Sequence, residues 1–347
     1  MLDHLNLENV SRALELKRKR LYVLYRAYKI TVMPIFQIAK VTSIVILFVI
    51  LIFPPLLMYL AISGTVCILS GLIPSPKYKY TNSVKEKVLQ KLVKSLHPEN
   101  IYSINISLKT LVSSSKIFKN TFINQSKYIV GFNHISGKIE DVPISFSEVK
   151  FYKDVINYGK TIGGCLLSIL LLPLFIIRGI FTETEEDNDL PGLGIIKDEI
   201  KFYEGLFMHA NFKIKNKDKL LLIPTIYSED KTKFSAIDYG NEVDTLNFEQ
   251  LGMPQQYKLF SKFKTSHPLV EAIAIALKNI YLANGYTPII AFSEGQLYIT
   301  LPQKSNYLNF DINKKVNGSE FFEPYFKDYE AFKYMVKSIR TAINKLS

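Results

Sequence analysis

Residues 41–76 read VTSIVILFVILIFPPLLMYLAISGTVCILSGLIPSP, thirty-six positions without one charged side chain. As an unbroken helix this stretch would run about 54 Å at 1.5 Å per residue. The hydrocarbon core of a bilayer is about 30 Å thick, so a single span is nearly twice too long. Pro54-Pro55 removes two backbone donors a third of the way along and makes an unbroken helix costly. Starting the first arm near Pro34, with Lys40 reaching to the interface, gives two arms of near-spanning length. A transmembrane hairpin over 34–76 is therefore expected, with Ile44, Leu47, Ile50, Leu57, Leu60 and Ile68 in contact with lipid. The competing reading is one long, tilted, Pro-kinked span with the C-terminal domain on the far side.

Charge supports the hairpin. Residues 1–100 hold fourteen Lys and Arg against five acids, and so carry nine of the twelve net positive charges. These basic residues bracket the apolar stretch on both sides, the pattern of cytoplasmic flanks touching anionic lipid. A nucleic-acid partner is disfavoured, because the remaining 247 residues are close to neutral. Apolar residues make up 48% of the chain while Gly and Pro number 16 and 15, which excludes collagen-like, mucin-like and wholly disordered chains. Cys67 and Cys165 both lie in apolar runs, so no disulfide framework or cysteine zinc site is expected. The N-terminus does not read as a signal peptide, since the Lys17–Arg20 cluster lies far inside and the following run is too long.

Residues 1–33 read as a basic amphipathic helix. Leu7, Val10, Leu14, Leu21 and Leu24 fall on a heptad seam that Lys17 interrupts, suggesting a partner helix, with ordinary amphipathic packing as the alternative. A second apolar run, Thr161–Ile177, is uncharged for 17 residues, the lower limit for a span. Its apolar side chains cover every side of a helix, so a membrane-contacting segment at 161–181 is expected through Leu170, Leu172 and Phe175, followed by an acidic loop at 182–194. A buried core helix is the alternative for that run.

The rest of 77–347 reads as an α+β domain of mostly antiparallel strands with packed helices. Ser83-Val-Lys-Glu86 is a capping box. Ile101–Ser107 alternates as a strand, and Lys127–Phe132 and Asp141–Tyr152 follow. Val142, Ile144, Phe146 and Val149 mark most of one face of the last, though the final step breaks strict alternation. Phe202–Ile214, Lys219–Pro224 and Lys258–Lys264 are strand-like, and a helix runs from Pro268 to Leu282. Thr287–Phe292 and Gln296–Leu301 form a hairpin turning at Glu294-Gly295. The closing helix carries Tyr325, Tyr329, Phe332, Val336, Ile339, Ile343 and Leu346 at alternating spacings of 4 and 3, an apolar stripe.

Catalytic signatures are missing from this sequence. It holds no Walker loop, Gly-x-Ser-x-Gly elbow, His-Glu-x-x-His or Cys-x-x-Cys. The five histidines have no ligand spacing, and no metal or cofactor is expected. The weak candidates for acid/base work are Glu148, Glu204 and His209. If their strands paired, Glu148 and Glu204 would form an acid/base pair or a cation site; solvated strand-face charges are the plainer reading.

Several stretches carry a resemblance: Ser115-Lys-Ile-Phe118, Tyr128-Ile-Val-Gly131, Ile144-Ser-Phe-Ser-Glu148-Val, and Phe202-Tyr-Glu-Gly205-Leu-Phe207 with Asn211-Phe212 and Lys213. The Phe263…His267 stretch leading into Leu269–Leu282 extends it. Over roughly 20–347 the chain resembles an uncharacterised bacterial membrane-protein family, domain of unknown function 3137. It departs from that pattern at Lys127 and Asn211, where the family tends to have acids, and in the run 161–177. The resemblance implies a basic helical N-terminus, a transmembrane hairpin and a cytoplasmic α+β domain, and no known activity. The expected protein is thus a membrane-anchored interaction or sensing module without catalysis, at a bacterial inner membrane with both termini cytoplasmic. Its expected partners are a bilayer with anionic headgroups and a protein partner or second copy. The rivals are a membrane-associated enzyme with a polar cleft at Glu148 and Glu204, and a membrane-perturbing effector.

Overall fold

The computed structural model describes residues 4–50, 62–63, 65–66, 76–77, 80–81, 89–96, 98–158, 197–214, 218–230, 232–247, 256–262, 267–284, 287–302, 313, 315 and 323–346. Among them one sheet dominates, built from β1 (Ile101–Ser107), β2 (Tyr128–Ile139), β3 (Val142–Ile156), β4 (Lys197–Asn211), β5 (Lys219–Pro224), β6 (Glu242–Asn247), β7 (Gln256–Ser261), β8 (Ile289–Ser293) and β9 (Gln296–Pro302). The strand order is β1-β2-β3-β4-β9-β8-β5-β7-β6, and every pairing is antiparallel. The protein is therefore α+β with a nine-stranded antiparallel sheet.

The sheet is covered on both faces, which explains the broken alternation in β3. Val142, Ile144 and Phe146 enter one core, while Val149 and Phe151 enter the other. Side chains alternate across a strand, so even positions serve the first face and odd positions the second. The first core lies under α7 (Pro268–Asn284) and α8 (Glu323–Leu346), whose Ile273, Leu277, Phe332, Val336 and Ile339 are fully buried. Phe146 and Phe332 meet with ring centroids 6.3 Å apart. Burying each such ring contributes about 1.5–3 kcal/mol. The second core is closed by α4 (Lys109–Ser115), α5 (Asn120–Asn124), α6 (Thr225–Ser228) and the residues 232–239; an aromatic cluster centres on Phe118.

A bulge in β2 connects the two cores. Phe132 pairs with Glu148 and Ile135 with Phe146, so Asn133 and His134 together face the single Ser147. Asn133 takes φ +51°, a left-handed conformation that Asn tolerates better than most residues. The extra residue reverses the alternation, so Ile129 faces the second core and Ile135 the first.

The N-terminal region comprises α1 (His4–Ile30), α2 (Val32–Ile50) and α3 (Gln90–Leu96). Leu14 of α1 is buried with Tyr80, Leu89, Val93 and Tyr102 in the first core. Here the transmembrane hairpin expected over 34–76 is corrected: among the described residues no helix is long and apolar enough to cross a membrane. The uncharged described part of α2, Val41–Ile50, is ten residues, about 15 Å of helix against a core of about 30 Å. Lys40, Gln37 and Pro34 precede it. The side chains of Ile44, Leu47 and Ile50, and all of Leu57, Leu60 and Ile68, lie outside the described residues. So do the capping box at 83–86, the run 161–181 with Leu170, Leu172 and Phe175, and the acidic loop 182–194.

Candidate functional site

β3 and β4 do pair, and the register decides what Glu148 and Glu204 can do. Glu148 stands opposite Leu206, and Lys150 opposite Glu204. Both carboxylates thus occupy one face of the sheet, with Lys150 between them. Lys150 Nζ is 2.7 Å from Glu148 Oε1 and lies over the Phe132 ring at 5.0 Å. The Glu148 side chain is only 3% exposed. Asn133 Nδ2 donates to Glu148 Oε2 at 3.4 Å, and the Tyr102 hydroxyl donates to Asn133 Oδ1 at 3.0 Å. Burial, aided by the Glu148 charge, pushes the Tyr102 phenol well above its ordinary pKa, so it stays a neutral donor. Glu204 ion-pairs with Lys201. Each carboxylate is therefore bound by a lysine, Glu148 by Lys150 and Glu204 by Lys201.

His209 does not join them. It sits five positions along β4 from Glu204, about 16 Å at 3.3 Å per residue, and on the opposite face. Its Nε2 is 3.0 Å from Gln296 Oε1, which also accepts from the Tyr298 hydroxyl at 2.7 Å. Burial lowers the imidazole pKa, so the ring is neutral at pH 7. A second histidine that the sequence did not single out, His134, is buried in the bulge with Nδ1 2.6 Å from Ser147 Oγ. Burial alone lowers its pKa to about 4. Among the described residues no group of three His, Cys, Asp or Glu is placed to hold a metal ion.

The second face carries a cavity of about 530 Å³ beside β4, the end of β9 and α6. Its walls are Phe202, Tyr203, Ile226, Tyr227, Phe234 and Pro302, with Asp230, Lys233 and the strand at Glu204 completing it. Tyr203 is held rigidly from behind, its ring centroid 5.2 Å from Phe118 and 4.9 Å from Phe151. Gly205 admits this packing: a Cβ there would meet Leu301 O at 2.7 Å and the Tyr203 hydroxyl at 3.2 Å. Asp230 accepts from the Thr232 hydroxyl at 2.5 Å and Lys233 Nζ at 2.9 Å, which lower its pKa to about 2. The cavity thus has an aromatic wall with the Asp230–Lys233 ion pair and the Glu204 carboxylate, and sequence reasoning missed it because Phe202 and Tyr203 are brought to Ile226, Tyr227 and Phe234 only by the fold.

The seam read on α1 divides. Leu14 is buried and Leu21 packs against the core, whereas Leu24 is exposed; the side chains of Leu7 and Val10 lie outside the described ones. No family model, curated protein or solved structure matches the chain.

Proposed function

We propose that this chain is a non-catalytic module that recruits or senses a partner at the cytoplasmic face of a bacterial membrane, binding through the aromatic-walled cavity. The observation that carries the reading is the contrast between the two faces of the sheet at β3 and β4. On one, Glu148 is occupied by Lys150; on the other, aromatic rings surround a space whose charged lining is the Asp230–Lys233 pair and Glu204, itself paired with Lys201. Catalysis requires titratable groups converging on one reacting atom. Binding requires an apolar wall with a few fixed polar groups, in a space of about 300–1,000 Å³. The location is supported by the Lys and Arg excess of residues 1–100 and by the resemblance to the uncharacterised membrane-protein family.

The test is co-purification with three forms of the full chain. A companion molecule should accompany the wild type and a Glu148→Gln variant, and be lost from Ile226→Glu/Tyr227→Ala. Loss from the carboxamide variant with retention by the cavity variant would overturn the reading.

A further inference from the structure

α1 is built into the molecule by one face only. Ser11, Leu14 and Arg18 are buried, and Leu21, Tyr22 and Tyr25 pack against the same core. On the opposite side Leu16, Val23 and Ile30 are 59%, 68% and 71% exposed. They are seven residues apart, close to two full turns, so they form one line along the helix. Arg12, Lys19 and Arg26 repeat at the same interval and form a parallel line of exposed cations beside it. Arg20 stands on the other flank, four positions after Leu16 and three before Val23. The one acid among the described side chains of α1, Glu15, is held by both ends of Arg18 at 2.7 Å and so does not offset this rim. α2 adds exposed Ile38, Val41 and Val45 at spacings of 3 and 4.

Exposed apolar lines edged by cations fit the boundary between headgroups and acyl chains, where the apolar side sinks a few ångströms and the cations meet lipid phosphates. A second copy fits poorly, because pairing this face with itself would bring the two basic lines together as like charges. We infer that the outer face of α1, continued by Ile38, Val41 and Val45, lies flat on an anionic lipid surface. The helix rests in the interface without crossing it. This inference takes only its location from the module reading above; the cavity plays no part in it.

The experiment is sedimentation of the full-length protein with vesicles of phosphatidylcholine alone or mixed with phosphatidylglycerol. Binding should require phosphatidylglycerol and fall at least about tenfold between 50 and 500 mM salt. Val23→Glu/Ile30→Glu should weaken it at least about tenfold while leaving the circular dichroism spectrum unchanged, since both positions are exposed. Arg12→Gln/Lys19→Gln/Arg26→Gln should remove most of the salt dependence. Equal binding to neutral vesicles, or wild-type binding by both variants, would overturn the inference. So would sedimentation velocity showing a lipid-free dimer that Val23→Glu/Ile30→Glu dissociates. None of these outcomes touches the cavity, whose partner binding is read separately through Tyr227.

Discussion

Ile156 and Lys197 are cross-strand partners at the far end of β3 and β4, although forty residues lie between them in the chain. The two ends of the intervening segment are therefore held side by side in the sheet. Asn157 already stands at the exit, its Nδ2 2.6 Å from Asp198 Oδ2. Replacing 158–196 by one glycine leaves Asn157-Gly as a two-residue hairpin turn, the type that suits the strand twist. The shortened chain should unfold cooperatively within a few degrees of the parent melting temperature. Aggregation or loss of cooperativity would show that the run 161–177 belongs to the core.

The Glu148–Lys150 pair gives a second prediction. Glu148→Ala removes the partner of a lysine that is only 18% exposed, and should cost about 3–5 kcal/mol in urea unfolding. Glu148→Leu combined with Lys150→Met removes both charges and should lie much closer to the wild type. Equal losses in the two variants would mean that packing, not charge pairing, sets the stability there.

His134 sets a pH dependence. Its pKa is lowered by burial from 6.5 to about 4, so the unfolded chain binds the proton first as pH falls. The stabilisation is fully present above about pH 6.5 and is lost progressively down to about pH 4, reaching about 3 kcal/mol there. His209 acts in the same direction. Urea midpoints of His134→Asn should accordingly fall less between pH 7 and pH 4.5 than those of the wild type. An identical fall in both would show that His134 does not carry the dependence.

Much of the sheet was legible because its strands obey local rules. Ile101–Ser107 has the same limits in sequence and structure, and Glu294-Gly295 turns with φ of +54° and +76°, as a two-residue hairpin demands. The α8 stripe was equally plain, with Tyr329, Phe332, Val336, Ile339 and Ile343 all buried. β6 was not read, because Glu242-Val-Asp-Thr-Leu-Asn247 is a polar strand at the sheet edge with no apolar face to betray it. The α1 seam misled in part because its buried row includes Ser11 and Arg18, and Arg18 is buried through Glu15, which no hydropathy pattern records. The hairpin was expected from the length and apolarity of 41–76, from Pro54-Pro55 and from the basic flanks, none of which states what the segment packs against. At the site, that Lys150 and not Glu148 stands opposite Glu204 follows from register, which the sequence does not state.

The proposed module works by attaching and binding, with α1 as its surface-facing element. The most direct measurement places an environment-sensitive fluorophore on single cysteines at Val23 and at Glu330, after Cys67→Ser and Cys165→Ser. Val23 and Glu330 are both exposed, the first on the outer face of α1 and the second on α8. With phosphatidylglycerol vesicles the label at Val23 should shift to the blue and become shielded from aqueous quencher, while the label at Glu330 stays unchanged. No shift at Val23, or equal shifts at both positions, would contradict the account.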